Sequence, residues 1–372
     1  MKGKPVIPPV YMTATYQFES SDDLIDVVQH RTGYIYSRWD NPTVREAERA
    51  LAEIEGYEDS VAFGSGMAAI TTTILAFIDE RSRVVALRET YGGTYEFIHR
   101  FLPRIGVETV HLGCDEVERF YTELEKGATM LYLETPTNPL LRVIDVKPLA
   151  EAAHAVGALV ALDSTFASPV NQRPVELGVD LCIHSATKYL GGHHDVTGGF
   201  VCGSRKLCEQ IWAHRRVLGG ILDPMTAFLT YRGLKTLELR VRHQNETAMK
   251  IAQFLAGHGK VRAVHYPGLA SHPDHAVAKR QMSGFGGMLS FEIGSDFEGT
   301  KRFMDRLKLI KLATSLGGVT TLATQPVTNT HVSLSAEERK KTGISDSLVR
   351  ISVGLEPADL LIRDIEQAFE AV

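Results

Sequence analysis

The sequence predicts an α/β fold: a mostly parallel central sheet covered on both faces by helices, with an arm before it and a smaller α+β domain after it. Three observations lead there. Short apolar runs alternate with helix-length segments through the middle of the chain, the pattern of strands paired in parallel through helical crossovers. The opening stretch is irregular and rich in Pro, Tyr and Thr. Beyond about residue 230 the alternation gives way to one long helical stretch and widely spaced strand candidates. At 372 residues the chain exceeds what one hydrophobic core usually serves. It is therefore divided into an arm at 1–40, a large domain at 41–230 and an α+β domain at 231–372.

Each element has a local reason. In the arm, Ser20 and Ser21 before Asp22-Asp23 supply a cap and first-turn acids for a helix from Ser21 to Gln29. Asn41-Pro42-Thr43 opens the next helix, because proline suits a first-turn position where its missing N–H is no loss. Val44, Ala47, Leu51 and Ile54 then recur as one apolar face. Strand candidates follow at Val84 to Leu87, Met130 to Leu133, Leu159 to Leu162, Val179 to Ile183 and Phe200 to Cys202. Helical patterns at Thr94 to Arg104 and Val146 to Val156 separate some of them. In the last domain a long helix runs from Leu234 to His258, with strands at Met288 to Ile293 and Val349 to Val353.

Forty basic residues against forty-five acidic ones give a net charge of -5 without long runs of one sign. That balance carries neither a nucleic-acid footprint nor a membrane-surface patch, and points to small molecules and further copies of the chain as partners. The four cysteines, Cys114, Cys182, Cys202 and Cys208, form no C-x-x-C pair. With no signal core after Met1 and no apolar run long enough to span a bilayer, a reducing, cytoplasmic setting is expected. His193-His194-Asp195 is read as a loop, since adjacent histidines point in different directions and further ligands at standard spacing are lacking. His30, His99, His265, His272, His275 and His331 receive no role.

In doubly wound sheets the site lies beyond the carboxyl ends of the strands, and the residues there are distinctive. Ser185-Ala186-Thr187-Lys188 follows the run Val179 to Ile183 and stands twenty-five positions after Asp163, which closes the run Ala158 to Leu162. A lone lysine is usually a solvated surface group, and a lone aspartate before Ser164-Thr165 is often a cap. Together they are what pyridoxal phosphate chemistry requires: an amine to form an imine, hydroxyls to hold phosphate, and a carboxylate to keep the pyridine ring protonated. Gly64-Ser65-Gly66-Met67 precedes a helical pattern, so its amides could add phosphate contacts at a helix start. Tyr91 follows a strand and could stack on a flat heterocycle, with a core or surface tyrosine as the equal alternative.

A longer set of motifs stands in a recognisable order: Tyr36-Ser37-Arg38, Asn41-Pro42-Thr43, Gly64 to Ala69, Tyr91-Gly92-Gly93-Thr94, Glu134 to Pro139, Asp163-Ser164-Thr165, Ser185 to Tyr189, Ser315 to Gly318 and Leu348 to Glu356. In these the chain resembles, over essentially its whole length, the Cys/Met-metabolism (trans-sulfuration) family of pyridoxal phosphate enzymes. That family includes cystathionine γ-lyase, methionine γ-lyase, cystathionine γ-synthase and cystathionine β-lyase. The resemblance implies a fold-type-I architecture and pyridoxal 5'-phosphate bound to Lys188, with Asp163 on the pyridinium, Tyr91 on the ring and Asn138 on a cofactor oxygen. Gly66, Met67, Ser185 and Thr187 match phosphate ligands. Tyr36 and Arg38 match residues that reach the neighbouring subunit's phosphate, which implies a homodimer with shared active sites, usually paired into a tetramer. Arg350 matches the arginine that holds the substrate carboxylate, with Ser315 as its accessory.

Within the family, Leu316 stands where bacterial cystathionine β-lyases usually carry tryptophan, which favours γ-chemistry. Ile35 and Thr320 occupy positions where cystathionine-handling enzymes often place acids, and Gly93 stands where methionine γ-lyases commonly have cysteine. The expected reaction is γ-elimination from a sulfur-containing L-amino acid, methionine or cystathionine, giving a thiol, 2-oxobutanoate and ammonia. The alternative is γ-replacement, joining an O-acylhomoserine to a thiol. A silent binding module on the same fold is disfavoured by the retention of Lys188, Asp163, Tyr91 and Arg350 together.

Overall fold

The computed structural model describes residues 3, 5–328 and 343–372; His331 lies outside the described residues. Two sheets organise the chain. The larger has seven strands: β1 (Asp59–Phe63), β2 (Arg83–Leu87), β3 (Glu108–Leu112), β4 (Met130–Glu134), β5 (Leu159–Asp163), β6 (Leu181–Ser185) and β7 (Gly199–Gly203). Their order is β1-β7-β6-β5-β4-β2-β3. Six of them run in one direction, and only β7 opposes them, antiparallel to both β6 and β1. The smaller sheet has the order β10-β11-β12-β9-β8, from β8 (Val261–His265), β9 (Met288–Ile293), β10 (Lys311–Leu312), β11 (Leu322–Thr324) and β12 (Leu348–Ser352).

The helices through the large sheet are α1 (Ser21–His30), α2 (Pro42–Glu55), α3 (Gly66–Leu75), α4 (Gly92–Glu96), α5 (Val117–Glu125), α6 (Val146–Ala155) and α7 (Ser168–Asn171). After it come α8 (Arg205–Leu218), α9 (Pro224–Leu234), α10 (Leu237–Ala256), α11 (His275–Gln281), α12 (Phe297–Arg306) and α13 (Ala358–Phe369). The core strands are buried on both faces, with α2, α3 and α8 contributing to the cover on β1 and β7, α5 packing toward β2 and β3, and α6 toward β4 and β5. Leu237 and Val241 of α10 pack with Tyr189 and Leu316, while Ala248, Ile251 and Leu255 of the same helix pack with Phe291 and Phe369 in the smaller sheet's cluster. One helix thus ties the ends of both sheets together.

The arm's helix α1 buries no residue of its own. The chain after it is held by Trp212 on α8, whose Nε1 donates to the Trp39 carbonyl at 2.9 Å and whose ring lies 3.7 Å beneath the Arg31 guanidinium. Glu48, buried on α2, accepts from the Ala62 amide at 2.8 Å and from Arg215 of α8 at 2.8 Å, so one carboxylate fixes two helices to β1.

Several expectations need correction. Ile54 is 37% exposed rather than part of the buried α2 face, which continues past Leu51 through Ala52 and Glu55. The helix expected from Thr94 to Arg104 is α4 followed by a π turn at Phe97–Phe101 and a 3-10 turn at Leu102–Ile105, because Pro103 cannot continue a regular ladder. The helix expected from Leu234 is two, since the chain turns at Lys235-Thr236 between α9 and α10. Strand β3, at the sheet edge and only partly buried, lacks the continuous apolar run that marks its neighbours.

Candidate active site

The carboxyl ends of β2, β4, β5 and β6 bring Tyr91, Glu134, Asp163 and Ser185 to one rim of the large sheet. Lys188 sits three residues beyond β6, half-buried, and its Nζ donates to Ser315 Oγ at 3.0 Å. Ser315 carries a left-handed φ of 77° and belongs to the loop between β10 and β11. Its carbonyl accepts from Arg350 Nη2 at 3.2 Å, and Arg350 Nη1 donates to Asn138 Oδ1 at 2.8 Å. Lys188, Ser315, Arg350 and Asn138 therefore form one connected group drawn from both sheets.

Arg350 lies in the middle of β12 and is only 3% exposed. Among the described residues no carboxylate is within ion-pair distance of it, and its Nε has no acceptor. Burial pushes its pKa down to about 10, so it stays a cation at neutral pH. A buried, unpaired guanidinium with a spare N–H is built for an anion.

Asp163 ends β5 fully enclosed, and its Oδ1 accepts the Thr165 amide at 2.9 Å. Burial raises its pKa, while the Thr165 hydrogen bonds, His184 and Lys188 pull the other way. Among the described residues it has no ion-pair partner either.

At the start of α3, Ser65 caps the helix by accepting from the Ala68 amide at 3.0 Å, and the Ala69 amide reaches the Ser65 carbonyl. That leaves the N–H groups of Gly66 and Met67 without acceptors among the described residues. A Cβ on Gly66 would come within 2.9 Å of Ser185 Cβ, so glycine is what lets this helix start meet the end of β6. Thr187 Oγ1 accepts from the Gly198 amide at 3.2 Å. Tyr91 is 47% exposed, and a Cβ on Gly93 would lie 2.9 Å from its Cε1 and 3.0 Å from Met67 Sδ, which puts the ring beside the α3 start. A cysteine at Gly93 would force that ring to shift.

Tyr36 and Arg38 stand apart from this group within one chain. Arg38 Nη1 donates to the Arg216 carbonyl on α8 at 2.7 Å, its guanidinium lies 5.5 Å over the Tyr36 ring, and Tyr36 is 42% exposed. Two features carried no role in the sequence reading. Glu134 closes β4 as Asp163 closes β5, a signal that was visible in the apolar run before it. Glu55 and His184 form a buried pair at 2.5 Å with Cys182 nearby, which only the packing of α2 on β6 brings together.

Burial, with Arg350 nearby, lowers the Lys188 pKa from 10.5 to about 8, against the opposing pull of Asp163. A lowered lysine pKa penalises the protonated folded state: the cost is fully present below pH 8 and fades as pH rises toward 10.5. The apoprotein should gain stability across that window. Added pyridoxal 5'-phosphate should react faster as well, because the neutral amine rises from roughly a tenth of molecules at pH 7 to roughly nine tenths at pH 9. Stopped-flow absorbance should give a midpoint near 8; a midpoint above 10 would exclude the geometry.

Similarity to known proteins identifies the family. A family model described as Cys/Met metabolism PLP-dependent enzyme matches residues 2–370. The chloroplastic cystathionine gamma-synthase 1 of Arabidopsis thaliana is 42% identical over 99% of this chain, which spans 66% of that protein's length. The cystathionine gamma-lyase of Bacillus subtilis is 42% identical over 98% of this chain and 94% of its own. A crystal structure of cystathionine gamma synthase from Xanthomonas oryzae pv. oryzae, in complex with aminoacrylate and cysteine, superposes with a TM-score of 0.94 at 37% identity, covering 98% and 93% of the two chains. Motif order, fold and full-length similarity converge, and the chain belongs to the Cys/Met metabolism family of pyridoxal phosphate-dependent enzymes.

Proposed function

We propose that the protein catalyses γ-elimination on a sulfur-containing L-amino acid, methionine or cystathionine, releasing a thiol, 2-oxobutanoate and ammonia. The observation that carries this is the link from Lys188 through Ser315 to Arg350, an amine and an unpaired buried cation bridged by one residue. An α-amino acid presents the matching pair: a carboxylate for Arg350 and an amino-bearing carbon near Lys188.

The residues present fit the cofactor. Among the described residues Asp163 is a buried carboxyl without an ion-pair partner, the α3 start offers two N–H groups without acceptors beside Ser185, and burial lowers the pKa of the Lys188 amine. Lys188 would hold the aldehyde carbon, Asp163 the ring nitrogen, Gly66, Met67, Ser185 and Thr187 the phosphate, Tyr91 the ring face and Asn138 a ring oxygen. Bound there, the cofactor supplies an electron sink for charge developing on the substrate carbons. Arg350 and Asn138 fix the carboxylate and so the orientation of the α-carbon. Lys188 Nζ, freed once substrate is bound, moves protons between adjacent carbons, and Tyr91 serves the departing γ-sulfur as acid.

Tyr36 and Arg38 complete the site of a neighbouring copy in this reading, supported by their exposure and by the hydrogen bond of Arg38 to α8. The assembly is then at least a homodimer, paired into a tetramer, working in the cytoplasm. γ-Replacement on an O-acylhomoserine is the second reading, favoured by the similarity to γ-synthases. A panel of amino acids with 2-oxo acid detection separates the two. Release of 2-oxobutanoate from methionine or cystathionine alone is expected; turnover only of acyl-homoserine with cysteine would replace the lyase reading.

A further inference from the structure

Glu134 stands between the two groups that would flank the cofactor ring. It ends β4, and its direct register partner on β5 is Asp163. Neighbouring parallel strands lie about 4.8 Å apart, so register partners project their side chains to the same face of the sheet. On the other side β2 leads into the loop bearing Tyr91, whose backbone N–H donates to Glu134 Oε2 at 2.7 Å. Glu134 is 4% exposed and Asp163 6%.

Two enclosed carboxylates so close, neither with an ion-pair partner among the described residues, cannot both be charged without a large penalty. The surroundings decide which one holds the proton. Asp163 has the Thr165 amide and faces His184 and Lys188, all of which favour its anion. Among the described residues Glu134 has only the Tyr91 amide, with Asp163 and the phenol of Tyr132 as its charged or titratable neighbours. Burial first, then Asp163, pushes its carboxyl well above the usual range. His184 is itself engaged with Glu55.

We propose that Glu134 is a positioning residue of this site: an uncharged carboxyl that fixes Tyr91 through its backbone N–H and leaves Asp163 as the one anion offered to the cofactor nitrogen. The inference rests on the cofactor occupying the site as described above, and it adds a requirement on a residue outside the cofactor's contacts.

The test compares Glu134→Ala, Glu134→Gln and Tyr91→Ala in the holoenzyme. Glu134→Ala should lower kcat/KM at least about tenfold, since Tyr91 loses its anchor. Glu134→Gln, a neutral acceptor of the same shape, should recover most of that loss and keep the midpoints of the pH–rate profile and of the cofactor's absorbance titration within about 0.3 units of wild type. Adding Glu134→Ala to Tyr91→Ala should cost less than about threefold more, because both act through one ring.

The inference is overturned if Gln is as impaired as Ala, if Gln displaces the midpoints by about a unit, if Ala is harmless, or if the Ala effects add in full. Should Glu134→Ala not fold, the Gln profile still decides, because removing a real negative charge beside Asp163 must move it. Borohydride trapping of the wild type keeps the two readings apart. An adduct away from Lys188 removes the cofactor placement itself; an adduct at Lys188 with a failed Gln rescue removes only the role of Glu134.

Discussion

Lys188→Ala should lower kcat by about 10⁴-fold or more, because one substitution removes both the covalent hold on the cofactor and the mobile base beside the reacting carbons. The near-visible absorbance of the bound cofactor should be lost or displaced, and borohydride should no longer fix the cofactor to the peptide containing position 188. The fold should survive. Among the described residues Lys188 Nζ makes a single hydrogen bond, to Ser315 Oγ, and its protonated form is penalised by burial at neutral pH. Removing it relieves that cost, so the apoprotein at pH 7 should melt no lower than wild type by more than a few degrees. Residual turnover above about a hundredth of wild type, with an intact absorbance band, would mean that another amine does the chemistry.

This prediction could be framed from the sequence because Asp163 ends one legible strand pattern and Lys188 closely follows another. Buried parallel strands such as Met130–Glu134 and Leu159–Asp163 write themselves as unbroken apolar runs, and the residue that stops the run is the one delivered to the rim. The same rule marks Glu134, whose role depends on register with Asp163 and on the path of the β2 loop, neither of which a linear pattern contains. Edge strand β3 and the short β10 and β11 were illegible for a physical reason: half-exposed or two- to three-residue strands need no apolar run. The breaks at Pro103 and at Lys235-Thr236 differ in kind. The first has a local cause in the proline, whereas the second separates Leu234 from Leu237, both buried in one cluster, and no proline marks it.

The second large effect concerns Arg350 and separates binding from chemistry. Its guanidinium spends two donors on Asn138 and the Ser315 carbonyl and leaves Nε without an acceptor among the described residues in a buried position. Holding an unbalanced cation there is unfavourable until an anion arrives, so the site favours a carboxylate by both attraction and relief of desolvation. Arg350→Ala should therefore raise KM by about two orders of magnitude, a change of about 2.8 kcal/mol, while kcat falls less. Arg350→Lys keeps the charge but lacks the planar fork that grips Asn138 and a carboxylate together, and should recover only part of the loss. Thermal shift gives a check independent of turnover. A non-reactive carboxylate ligand at about a hundred times its Kd should stabilise wild-type holoenzyme by about 2.7 kcal/mol and the Ala variant hardly at all. Equal shifts in both proteins would place the substrate carboxylate elsewhere, and the proposed orientation of the α-carbon over Lys188 would fall with it.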